Sequence, residues 1–255
     1  MSAPRALRRL LSWEAPDPVG FWSARAGDPG SYSVMWPNAI YNELAEQDQW
    51  RAVERNLPDR RGAVLDLGCG TGRFTPRLAR VFDRYVGVDL PPMVEEARRR
   101  LAVEELDSVE LVGSKVQDYE LEEETFDLIL SMACLGSACT SEELPEIASR
   151  LAAALRPRGS LVLIDPFHTF APLVRTCRLR SAEVVNLFTS LGCLPVERGG
   201  IHCIPIRLIV ARPIFERLPA VTRWSYRIGE AVAAVAPSLL GDYGIYSFRK
   251  QEAPR

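Results

Sequence analysis

Along most of the chain, short apolar runs alternate with longer stretches in which apolar positions recur every third or fourth residue. Ala63–Leu67 (AVLDL) reads as a short strand, and Arg73–Val81 follows with helical spacing. Tyr85–Asp89 is a second strand, and Pro92–Leu106 a helix with proline in its first turn. Val109–Val112 and Phe126–Ser131 are the third and fourth strands. Thr140 and Glu143 make a capping box that opens a helix to Leu155. Pro157 and Gly159 turn the chain into a fifth strand, Ser160–Asp165. Ser181–Leu191 is a helix with Gly192 just past its end. Two more strands follow near Leu194–Arg198 and Tyr243–Arg249. This alternation predicts an α/β fold: a doubly wound, mainly parallel, seven-stranded sheet covered on both faces.

The flanks break the rhythm. Residues 15–38 are rich in Pro, Gly and Ser and carry Phe21, Trp22, Tyr32 and Trp36, which reads as an arm or lid. A helix over Ile40–Leu57 is stopped by Pro58. Residues 201–240 are longer than a hairpin needs and include a helix from Ala220 to Ala236. Five arginines (207, 212, 217, 223, 227) face only Glu216 and Glu230 there. Such an insertion holds substrate or completes the core. The expected organisation is one domain over 1–255: an arm and lid helices (1–60), a core (61–200), an insertion on the substrate side (201–240), and a last strand with its tail (241–255).

Composition narrows the class. Of 255 residues, 47% are hydrophobic and 25% charged, enough for an ordinary buried core. A net charge of −2 argues against bulk electrostatic binding of nucleic acid, although a local basic patch is compatible with it. Six cysteines show neither C-x-x-C nor metal-ligand spacing, so no metal is expected. Free thiols of this kind fit a reducing, cytoplasmic setting. The start, MSAPRALRRLLSWEAP, lacks the apolar stretch of a signal peptide, and no run reaches membrane-spanning length. Leu7, Leu10 and Leu11 among arginines suit a short amphipathic helix packed on the domain, or a peripheral membrane contact. Nothing in the pattern fixes an oligomeric state.

The chemistry concentrates at AVLDLGCGTGRF. Gly68, Gly70 and Gly72 let the backbone pass close to a ligand and leave N–H groups at a helix N-terminus, a geometry for an anionic group. The next strand ends in Asp89, placed to accept hydrogen bonds from a ribose diol. A dinucleotide fingerprint counted from Gly68 needs glycine at 73, where this chain has Arg73. A guanidinium pairs better with a carboxylate than with a crowded pyrophosphate pocket, which disfavours a nicotinamide-dependent reductase.

Four segments then fall in order over about residues 62–166. VLDLGCGTGRF resembles the first motif of class I S-adenosylmethionine-dependent methyltransferases, and YVGVDLPPMVEEAR the second. TFDLILS is similar to their fourth strand, and LRPRGSLVLID to the turn and fifth strand that follow. The resemblance implies a Rossmann-like methyltransferase fold with S-adenosyl-L-methionine as cofactor and S-adenosyl-L-homocysteine as product. It implies that Asp66 orients the loop and the cofactor's ammonium. Gly68, Gly70 and Gly72 would approach the methionine part, with Arg73 on its carboxylate. Asp89 would hold the ribose, Leu90 and Met93 flank the adenine, and Val116 and Gln117 contact it. Met132 would lie near the methyl group, or pack in the core. Ser114 and Lys115 stand where many members carry an acid.

Transfer to oxygen or nitrogen calls for a general base unless the acceptor is already ionised. The candidates are His168 after the fifth strand, His202 in GGIHCIP, and less strongly Asp165 and Tyr32. Asp127 reads as structural support. The apolar, aromatic insertion points to a small, partly hydrophobic substrate, methylated on O or N, in a biosynthetic role. Two alternatives stay open: a protein or peptide N-terminal methyltransferase, which QDY and YGIYSFRK resemble, and a non-catalytic cofactor-binding regulatory subunit.

Overall fold

The computed structural model describes residues 17–27, 35–106, 108–167 and 176–252. Seven strands run β1 (Ala63–Leu67), β2 (Arg84–Asp89), β3 (Val109–Gly113), β4 (Phe126–Met132), β5 (Leu155–Asp165), β6 (Cys193–Cys203) and β7 (Gly241–Lys250). They form one sheet in the order β3-β2-β1-β4-β5-β7-β6. All neighbours are parallel except β7, which is antiparallel to both β5 and β6. The central strands β1 and β4 are buried along their whole length, as expected where helices cover both faces.

Strand alternation splits the core in two. Leu65, Leu67 and Ile129 point into one layer with Leu151 and Phe188. Val64, Leu128 and Leu130 point into the other, against Ala45, Leu78 and Tyr85. Before the sheet come α1 (Pro18–Arg25) and α2 (Ala39–Glu54); Asn38 caps α2 by accepting from Tyr41 N at 3.1 Å. The helices between strands are α3 (Thr75–Ala79), α4 (Pro91–Leu101), α5 (Leu135–Ala138), α6 (Leu144–Ala154) and α7 (Ser181–Ser190). Order reverses between β1 and β4, so a crevice opens at their carboxyl ends, the usual ligand site of such sheets.

Several boundaries differ from the sequence expectation; β5, for one, already starts at Leu155 rather than Ser160. The helix after the glycines starts only at Thr75, because Gly72 is still left-handed at φ +80 and Phe74 serves as its cap. The helix after β2 stops at Leu101 rather than 106. Strand β6 runs five residues past Arg198, since its ladder with β7 continues through Gly199↔Ile245, Ile201↔Tyr243 and Cys203↔Gly241. The two glycines there look like a strand end. Gly200 is instead a close approach, where a Cβ would stand 2.8 Å from Pro237 Cα.

The insertion therefore begins at Ile204, and His202 belongs to β6. It contains α8 (Ile204–Val210), a 3-10 turn (Pro213–Arg217), α9 (Pro219–Val235) and α10 (Pro237–Leu240). It is fastened to α2. Asn38 Nδ2 donates to Val210 O at 2.8 Å, Ala39 N to Glu216 Oε1 at 2.6 Å, and Tyr226 Oη to Asp48 Oδ2 at 2.9 Å. All six cysteines are free and buried. Among the described residues no helix is long and apolar enough to cross a membrane. The segment around Leu7, Leu10 and Leu11 lies outside the described residues.

Candidate active site

Strand β1 delivers the chain into a loop whose three glycines are all left-handed: Gly68 at φ +72, Gly70 at +58 and Gly72 at +80. Gly68 N and Cys69 N both donate to Val88 O, at 2.8 and 3.2 Å, which lays the loop across the end of β2. Asp89 completes the attachment. Its Oδ2 accepts from Gly70 N and its Oδ1 from Leu90 N, each at 2.7 Å. Each oxygen keeps a further lone pair for the cleft. Burial raises this carboxyl's pKa to about 6, against the pull of the two N–H donors.

Asp66 sits deeper. It accepts from Tyr85 Oη at 2.9 Å, and Tyr85 in turn accepts from Thr75 Oγ1 at 2.8 Å. Burial lifts its pKa to about 6, with the Tyr85 bond and the Arg73 charge opposing. Arg73 lies over the Phe74 ring at 4.3 Å and donates to Gln49 Oε1 at 2.7 Å and to Met132 Sδ at 3.0 Å. Burial lowers the guanidinium pKa to about 10, which leaves it charged at neutral pH.

These residues line a cleft with two lobes that share Trp22, Gly68, Gly70, Met132 and Ala133. The larger, about 360 Å³, carries Asp89 with Leu90, Met93, Val116 and Gln117. Gln117 Nε2 is fixed by donating to Ala138 O at 2.9 Å. The smaller, about 80 Å³, carries Asp66, Arg73 and Gln49 beside an aromatic wall of Trp36, Phe74 and Tyr243. Ser114 and Lys115 line the larger lobe, at the position where an acid is common in the resembling family.

The expected proton acceptors fare differently. His168 and Tyr32 lie outside the described residues. Asp165 is fully buried and accepts from Ser131 Oγ at 2.6 Å and Gly136 N at 3.0 Å, so it ties the end of β5 to β4 and α5. His202 is fully buried too, with Nε2 3.0 Å from Gln49 Nε2, and burial lowers its pKa to about 3. Neither lines the cleft: Asp165 accepts from partners behind the wall, and His202 turns its Nε2 to Gln49. Asp127 braces the far end of β1 by accepting from Ala63 N at 2.9 Å. No described residue of 204–240 lines the cleft either; the insertion's inner side packs on α2 and β6, away from the substrate side expected for it. The sequence reading did not single out Gln49, Met35 or Tyr243 as site residues. A polar residue on the buried side of a helix is the signal that points to Gln49.

A family model described as "Methyltransferase domain" matches residues 64–159, the stretch that holds the glycine loop, Asp89 and β4. That stretch is a methyltransferase domain of the class I S-adenosylmethionine-dependent kind. A malonyl-[acyl-carrier protein] O-methyltransferase of Paenibacillus is 32% identical over 150 residues, covering 56% of this chain and 51% of the relative. The chain spans about half the length of that relative and of an uncharacterised Schizosaccharomyces pombe methyltransferase that is 33% identical over 147 residues. Among solved structures, the [4+2]-cyclase SpnF superposes with a TM-score of 0.64 at 17% identity, over 92% of this chain and 94% of that one. A Haemonchus contortus phosphoethanolamine N-methyltransferase, solved with phosphoethanolamine and S-adenosylhomocysteine, gives 0.62 at 16%, over 99% and 50%. At such identity these two show the fold alone, and a cyclase beside a methyltransferase shows that this fold does not fix the substrate.

S-adenosylmethionine is the cofactor of this domain, and the cleft suits its charges. The larger, apolar lobe carries one acid, Asp89; the smaller carries a second acid, Asp66, beside Arg73, whose guanidinium has N–H groups to spare.

Proposed function

We propose that the protein transfers the methyl group of S-adenosylmethionine to a small, partly hydrophobic molecule, at oxygen or nitrogen. One observation carries this reading: the arginine lobe is walled by Trp22, Trp36, Phe74 and Tyr243, so the space beside the methionine end is aromatic rather than polar. Arg73 would hold the cofactor's carboxylate, and Asp66 would balance its ammonium. Asp89 would hold the ribose diol, with Leu90, Met93, Val116 and Gln117 around the adenine. Met132 reaches both lobes and so borders the place where they meet.

When bound, the cofactor supplies an electrophilic methyl group on a sulfonium. The protein's share is alignment and exclusion of water. Holding two reactants in attack geometry is worth roughly 7–11 kcal/mol. The aromatic wall removes water from the attack side, and the fixed Asp89 and Arg73 set the two ends of the donor. An acceptor that arrives ionised needs no base. For one that does not, His168 is the remaining histidine of the two in the chain.

The test is incubation with methyl-labelled S-adenosylmethionine and fractionated metabolite extracts. Label in a small organic product is the expected result. Label in polypeptide instead would favour N-terminal protein methylation. Cofactor binding without any transfer would favour a regulatory subunit.

A further inference from the structure

Helix α9 has an outward face that nothing in the described structure covers. Val221 is 46% exposed, Trp224 72%, Ile228 44%, Val232 40% and Val235 88%. At helical spacing these five fall on one stripe, an arc of about 80°. Thr222, Tyr226, Gly229 and Ala233 form the opposite, buried side. Leu218 and Leu239, just outside the helix ends, are exposed as well, at 48% and 62%. Apolar surface of this extent on one element marks a contact surface.

The charges around it are one-sided. Arg212, Arg217, Arg223 and Arg227 are exposed; Arg227 flanks the apolar stripe and Arg223 lies next to it on the polar side of the helix. Among the described residues Arg217, Arg223 and Arg227 make no ion pair. The two acids of the segment are turned inward. Glu216 accepts from Ala39 N, and Glu230 accepts from His202 N at 2.9 and 3.1 Å. A partner for this face must therefore be apolar in depth and anionic at its surface. An isologous second copy would present the same arginines and no outward acid. The chain's own first sixteen residues carry Arg5, Arg8 and Arg9 against Glu14 alone, and so repeat the charge.

We propose that α9 docks the protein on an anionic lipid surface, with Trp224 and its stripe entering the headgroup boundary and the arginines meeting lipid phosphates. Tryptophan with arginine on an amphipathic helix is the pattern that lies in a membrane interface. This inference does not depend on the methyl acceptor proposed above.

The test is co-sedimentation of the full chain with vesicles of phosphatidylcholine alone, and with vesicles of equal parts phosphatidylcholine and phosphatidylglycerol. The chain is expected to pellet with the anionic vesicles only, and to be released by salt. Trp224→Glu, and separately Arg223→Glu with Arg227→Glu, should each weaken binding by roughly tenfold or more. Both variants should unfold cooperatively at the wild-type temperature, since these side chains are exposed. No association with anionic vesicles overturns the proposal, as does association that both variants leave intact or equal binding to neutral vesicles. A dimer in sedimentation velocity that Trp224→Glu dissociates, with no vesicle binding, would assign the face to a second copy and overturn it too.

Discussion

Gln49 joins His202 to Arg73. Its Oε1 accepts from Arg73 Nη1 at 2.7 Å, and its Nε2 lies 3.0 Å from His202 Nε2. Arginine has only donors, so the amide must show its oxygen to Arg73 and its NH2 to the imidazole. His202 Nε2 is then an acceptor, and the proton of the neutral ring sits on Nδ1, buried and 3.9 Å from Glu230 Oε1. The histidine that the sequence offers as a base is a brace for the arginine. Gln49→Leu should leave His202 Nε2 unpaired and free Arg73 from its anchor. A loss of about 1–3 kcal/mol of stability is expected in urea titration, together with weaker S-adenosylhomocysteine binding by calorimetry. Unchanged values for both would show that the bridge holds nothing.

Asp89 has two tasks, tying Gly70 and Leu90 and facing the larger lobe. Asp89→Ala should weaken S-adenosylhomocysteine binding by about 1.5–3 kcal/mol, the worth of hydrogen bonds to a charged group. Wild-type affinity in a folded variant would remove the residue from the ribose site.

Burial raises Asp66 and Asp89 to about 6. Raised carboxyl values favour the folded state at low pH. Their contribution to stability is full below the unfolded value of roughly 4 and is lost as pH rises through about 6. Cofactor binding runs the other way, since a cation and a diol both need the ionised acids. Affinity for S-adenosylmethionine should fall as pH drops through that range, by calorimetry between pH 5 and 8, values that bracket it. A flat profile would mean that neither carboxylate meets the cofactor.

Gly68 is both left-handed and crowded, because a Cβ there would stand 2.5 Å from Cys134 Cβ. Gly68→Ala should cost roughly 1–3 kcal/mol from backbone strain alone. It should also shift the loop against Cys134. The expected readout is a lower urea midpoint with reduced cofactor affinity. A midpoint equal to wild type would show that the turn tolerates a side chain.

The cofactor side of this site is legible in the sequence because it is local. One strand, one glycine loop and the end of the next strand lie within thirty residues of chain, and β1 to β4 are short apolar runs bounded by turn residues, which places their ends closely. The proposed acceptor side is assembled from Trp22, Trp36, Gln49, Phe74 and Tyr243, on segments that meet only in three dimensions. No spacing rule links them. Asp165 and His202 illustrate the same limit: both stand at strand ends, as active-site residues do, and only the distant partners Ser131 and Gln49 show that they face inward. The length of β6 is hidden by Gly199 and Gly200, which look like a turn, whereas Gly200 serves close packing against Pro237.

The most direct measurement is a crystal structure of the protein soaked with S-adenosylhomocysteine. The expected density places the amino-acid carboxylate on the Arg73 guanidinium, both ribose hydroxyls on Asp89, and the adenine among Leu90, Met93 and Val116. Density for the ligand elsewhere, or a dinucleotide pyrophosphate lying on residues 68–72 in its place, would contradict the account.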